Sequence, residues 1–154
     1  MTTRFFGPGL KKLVSAAINA GTATFKLVLL DDAYTFDPDH EFVSSVASNE
    51  LADTSGYAGG FAGAGRKTAT VTFDYDATNN RVRMAVADLS WTSFDDGTST
   101  DTCGGAALIV ENTNDSDSHL IAFLGLAANK ACNVDVFSLD IPTLAEGGTL
   151  YLAV

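Results

Sequence analysis

The sequence predicts a mainly β protein: an antiparallel β-sandwich of about seven strands, with an N-terminal amphipathic helix and a second short helix. Three observations predict it. Ala69, Val71, Phe73 and Tyr75 alternate with Thr68, Thr70, Thr72 and Asp74, the pattern of a half-buried strand. Short apolar runs recur along the chain, separated by polar turns such as DATNN and NTNDSDSH. The 154 residues are 46% hydrophobic with 14 glycines and 3 prolines, which suits one ordered domain.

The elements follow in order. Residues 1–9 form an expected N-terminal arm, and residues 10–154 a single domain. Leu10, Leu13, Val14, Ala17 and Ile18 lie on one apolar stripe, predicting a helix over 10–18 with Pro8 suited to its first turn and Gly21 as its stop. Thr24–Leu30 (TFKLVLL) is nearly continuous in apolar residues and predicts a strand buried on both faces. Asp37-Pro38 reads as the cap and first position of a short helix whose apolar side is Phe42, Val43 and Val46. After the Thr-rich strand, DATNN turns the chain, and Val82, Met84 and Val86 return on the next strand. Leu89 and Trp91 take the other parity, which predicts a bulge near Asp88. Ala106–Val110, Leu120–Leu124, Val134–Leu139 and Thr149–Val154 complete the set.

Charge restricts the partners. The net charge is −10, yet residues 1–83 carry eight Lys/Arg against nine Asp/Glu, while residues 84–154 carry Lys130 alone against ten acids. Phosphate contacts need clustered Lys/Arg, so nucleic acid is not an expected partner. No apolar run reaches the roughly 20 residues that span a bilayer, so no membrane partner is expected either. The N-terminal stretch MTTRFFGPGLKKLVSAAINAG has charges within its apolar part and is not read as a signal peptide. The product is expected to be soluble and intracellular when made. Cys103 and Cys132 match no zinc spacing; they are expected to be buried thiols, with a disulfide left open.

Three stretches and a lone histidine raise the question of chemistry. Asp31, Asp32, Asp37, Asp39, His40 and Glu41 crowd the end of a strand, but Asp37, Asp39 and Glu41 suit a helix first turn, and the cluster reads as a solvated loop. GYAGGFAGAGRKT (56–68) has glycines at phosphate-loop spacing, yet Arg66 intervenes before Lys67-Thr68 and a strand follows where a helix is needed. Asn112, Asn114, Asp115 and Asp117 resemble part of a calcium loop but lack its sixth-position glycine and twelfth-position glutamate. His119 stands alone at a strand start. Neither cysteine has the setting of a nucleophile, so no catalytic residue, metal or cofactor is expected. Among the aromatics Phe5, Phe6, Tyr34, Tyr57, Phe61, Trp91, Phe94 and Tyr151, core filling or interface anchoring outweighs sugar stacking. Trp91 is the expected core anchor, and Arg4, Phe5 and Phe6 the expected partner interface.

The succession of KLVLLDDAYTFDPDHEF, SNEL, GYAGG, a Thr-rich strand, DATNN, DLSW, ALIVEN and HLIAFLG resembles a family of small tailed-bacteriophage virion proteins, found in the head region or as minor structural proteins. It covers roughly residues 10–125; the glycine-rich segment 59–65 and the loop near Cys103 depart from it. The resemblance implies a non-enzymatic virion component, made in the host cytoplasm. Its leading role is capsid decoration (cementing), with the major capsid protein or copies of itself as partners in an oligomer or multi-copy lattice. A tail or connector component is the alternative within the virion, and a carbohydrate- or host-surface-binding module the alternative outside it.

Overall fold

A computed structural model describes residues 1–51, 56–92, 94, 101–146 and 150–153, the side chains of 146 and 150–153 excepted. The protein is mainly β, with antiparallel sheets and one α-helix. The described strands are β1 (Thr2–Phe5), β2 (Phe25–Asp31), β3 (Lys67–Thr68), β4 (Val71–Asp76), β5 (Arg81–Val86), β6 (Leu89–Thr92), β7 (Thr102–Val110), β8 (His119–Ala131), β9 (Val136–Leu139) and β10 (Leu150–Ala153). They form a five-stranded sheet in the order β1-β8-β7-β2-β3, a three-stranded sheet β10-β5-β4 and a two-stranded sheet β6-β9.

The strand count exceeds the expected seven for three local reasons. The N-terminal segment is itself a strand, and Lys67–Thr68 adds a short edge. The third is the phase change near Asp88, which is not a bulge within one strand. The chain leaves β5 and enters a different sheet as β6, so the two parities belong to two surfaces. Asp88 Oδ1 ties this crossing by accepting from the Ile141 N–H at 2.7 Å.

The β2 run is buried on both faces, as its sequence predicts. Leu27 and Leu29 join a core with Met84, Val86, Trp91, Phe137 and Leu139 from the smaller sheets. Val28 and Leu30 face the other way, into a second core with Phe6, Val43, Val46 and Ile109. The five-stranded sheet is therefore the middle layer.

Two helical expectations are corrected. The helix α1 spans Gly7–Val14 rather than 10–18. Pro8 sits in its first turn, and it ends where Ser15 N–H bonds the Lys11 carbonyl and Ala16 takes a φ of 56°. Gly9 lies directly on β8; a Cβ there would stand 1.9 Å from the Leu120 carbonyl oxygen. The helix is seated by a residue without a side chain. Nor does Asp37-Pro38 start a helix. Asp37 Oδ1 accepts from the Asp39 N–H at 2.9 Å in a local turn, and Val43–Ser45 and Ala47–Asn49 are 3₁₀ turns. The apolar side of that segment holds in part, since Val43 and Val46 are both fully buried.

Candidate interaction surface

Strand alternation separates the three residues expected at a partner interface. Thr2–Phe5 pairs with Gly125–Ala122 on β8, so residues 1–9 are not an arm apart from the domain. Phe6 is completely buried, its ring 5.0 Å from Phe36, and it belongs to the second core. Arg4 is exposed, with its guanidinium 5.4 Å from the Phe36 ring centroid. Phe5 points the opposite way and is half-buried. The expected interface thus divides into one core residue, one exposed cation and one groove wall.

Phe5 lines an apolar groove of about 420 Å³, and this is the most distinctive surface among the described residues. Leu10, Leu13 and Val14 of α1 form one bank; Phe73 and Val82 of the β4–β5 hairpin form the other. In the hairpin register Phe73 stands opposite Met84 and Tyr75 opposite Val82, so one face carries the apolar side chains. The other face carries Asp74 and Asp76, paired with Arg83 and with Arg81. Val14 is 67% exposed, Phe73 45% and Val82 38%. A groove of this chemistry takes apolar side chains and has nothing to polarise a reacting bond.

The stretches that raised the question of chemistry are held by structural partners. In the acidic segment, Asp31 accepts from Ala33 N–H and from Asn49 Nδ2, Asp32 from Asn129 Nδ2, and Glu41 pairs with Lys12 at 3.3 Å. His40 Nδ1 lies 3.3 Å from the Tyr34 hydroxyl. Among the described residues no three His, Cys, Asp or Glu side chains converge as metal ligands would. The carboxylates spread to separate partners.

The glycine-rich loop and the calcium-like loop meet instead at one guanidinium. The Arg66 side chain is fully buried and bonds the carboxylates of both Glu50 and Asp115. Burial alone would lower the Arg66 pKa; the hydrogen bonds and charges of Glu50 and Asp115 outweigh it and hold the pKa above its ordinary value. Glu50 Oε1 also accepts from the Tyr57 hydroxyl at 2.7 Å, which in turn accepts from the Leu29 N–H at 3.1 Å. Tyr57 is pushed up by burial and by Glu50 and stays a donor. Sequence reasoning missed this cluster, because its members lie 16 and 49 positions apart and share no spacing motif. The sole trace was an arginine interrupting a phosphate-loop pattern. Asp117, the other acid of the calcium-like loop, accepts from the Thr113 and Asn114 N–H groups and closes its own turn.

Trp91 is fully buried; its Nε1 donates to the Gly65 carbonyl at 2.6 Å and its ring meets Phe137 edge-on at 6.0 Å. Cys103 and Cys132 are free and buried, and burial pushes their thiols up to about 12 and about 11. Both stay protonated at neutral pH. The His119 ring lies 5.2 Å from that of Phe42 in a tilted contact, and burial, with help from the Lys12 charge, lowers its pKa. No described helix is long and apolar enough to cross a membrane. Comparison with protein-family models, with curated proteins and with solved structures found no match for this chain.

Proposed function

We propose that this chain is a structural protein of a tailed-bacteriophage virion, decorating the outer head shell. The observation that supports this reading is the open apolar groove between α1 and the β4–β5 hairpin. Soluble proteins seldom leave contiguous apolar surface uncovered unless something covers it in use. The order of elements from β2 through β8, with its SNEL, GYAGG, DATNN and DLSW motifs, supports a virion setting by its resemblance to small phage structural proteins. The half of the chain after Met84, at a net charge of −9, suits attraction toward a basic shell.

The test is density-gradient banding of particles, with the chain counted per particle. Hundreds of copies are expected for a shell protein; about six or twelve place it at the tail or connector and overturn the decoration role. A chain that remains at the top of the gradient overturns the virion reading altogether. Val14→Asp, at an exposed position on the groove bank, is expected to weaken attachment by about tenfold or more, since attachment then buries a charge. Circular dichroism checks that the variant keeps its fold.

A further inference from the structure

The hairpin beside the groove ends in an open strand edge. Among the described residues β4 pairs with β5 alone. The antiparallel ladder decides which of its backbone groups are already engaged. The Ala87 N–H donates to the Thr70 carbonyl at 2.9 Å, so Thr72, Asp74 and Asp76 turn their backbone groups toward β5. Val71, Phe73 and Tyr75 turn theirs outward, and these same residues carry the apolar side chains, Tyr75 being 56% exposed.

Edges of this kind are ordinarily blunted by lysine, proline or a bulge. Val71–Asp76 contains none of them. Its charges, Asp74 and Asp76, are matched within the hairpin by Arg83 and Arg81. In a chain of net charge −10, residues 71–86 sum to zero. Two segments without net charge meet here.

We propose that β4 pairs antiparallel with β4 of a second copy of this chain, about a twofold axis at Phe73. The register follows from chemistry. Centring on Asp74 sets two aspartates directly opposite each other, which is destabilising. Centring on Thr72 requires the backbone of Ala69, whose N–H already donates to the Phe25 carbonyl at 2.9 Å. Centring on Phe73 uses outward groups alone. Val71 then faces the partner's Tyr75, Phe73 faces the partner's Phe73, and Thr72 faces the partner's Asp74 across the polar side. The ladder gains about six backbone hydrogen bonds. Because the axis stands perpendicular to the sheet, the apolar faces join, and the two grooves open on one continuous surface. Such an isologous contact closes at two copies and does not propagate. The inference does not rest on the virion reading.

Light scattering after size exclusion tests it on the isolated full chain. Twice the chain mass is expected, shifting to the monomer mass in Phe73→Pro, which removes an outward N–H and leaves the β5 ladder in place. Thr72→Asp places like charge against the partner's Asp74 at two symmetric points and is expected to weaken pairing about tenfold. Thr72→Lys places opposite charge there and is expected to retain or tighten the dimer. A wild-type monomer at about 100 μM overturns the proposal, since that concentration populates contacts of modest affinity. A dimer unaffected by Phe73→Pro overturns it too, and one indifferent to both Thr72 variants overturns the register. A monomer that still bands with particles sinks this inference alone; a dimer absent from particles sinks the virion reading alone.

Discussion

Single residues in this chain do structural work that their types do not announce. Arg66 joins Glu50 and Asp115, so a guanidinium stands beside Asp115 of the calcium-like loop where a metal cation was weighed. A buried ion pair of this kind is costly to break on one side, because the remaining charge has no water to replace its partner. Trp91 combines full burial with a hydrogen bond to Gly65 and an edge-on contact to Phe137. Trp91→Ala is expected to cost about 3–5 kcal/mol, read as a shift of the urea midpoint at unchanged slope. A loss below about 1 kcal/mol contradicts the anchoring role. The burial of Trp91 was legible, since a lone tryptophan on an alternating strand has few other places to go. The Arg66 cluster was not, because three loops bring its members together and local pattern does not encode loop convergence.

At the level of elements, alternation read well and helix boundaries read poorly. The Thr-rich strand and its return strand pair as their period-2 pattern predicts, but the expected burial of the apolar face fails at Phe73 and Tyr75, which stay exposed beside the groove. The apolar stripe Leu10–Ile18 held in part: Leu13 and Ile18 reach the core, whereas Val14 is exposed on the groove bank and Ala17 is exposed, and the helix stops at Val14 so that Ile18 arrives from a loop. Apolar spacing gives neither full burial nor the helix end, which hydrogen bonding decides. The expected short helix after Asp37 gave way to a local turn: Asp37 makes the cap-like bond to the Asp39 N–H, but the chain beyond it runs into a β-bridge at Phe42 and two 3₁₀ turns. Gly9 belongs to this scale, since it sets how closely α1 approaches β8. Gly9→Ala is expected to lower stability by about 1–3 kcal/mol in thermal unfolding, despite the better helix propensity of alanine, because the clash is with backbone. A variant as stable as the parent shows that α1 shifts freely on the sheet.

For the whole molecule, sequence made the β class plain and hid which strands share a sheet. The switch at Asp88 looked like a bulge because a change of parity is all that a crossing between sheets leaves in a sequence. The N-terminal strand, taken for an arm, was hidden for a related reason: TTRF is too short to declare itself without β8 beside it. Charge distribution is a whole-molecule property, and its consequence is kinetic. If the acidic half steers the chain to a basic shell, raising salt is expected to slow attachment to particles more than it speeds release, measured by time-resolved co-sedimentation. Equal effects on both rates remove the steering role.

The pairing of Thr2–Phe5 with Gly125–Ala122 also bears on how the chain is made. A ribosome delivers β1 and α1 well before β8, the strand that receives them. At about 5–20 residues per second, the wait is roughly 10 s. During that interval the apolar stripe of α1 is open to holdase chaperones and to proteases. The segment made ahead of its partner strand is secured only when that strand arrives.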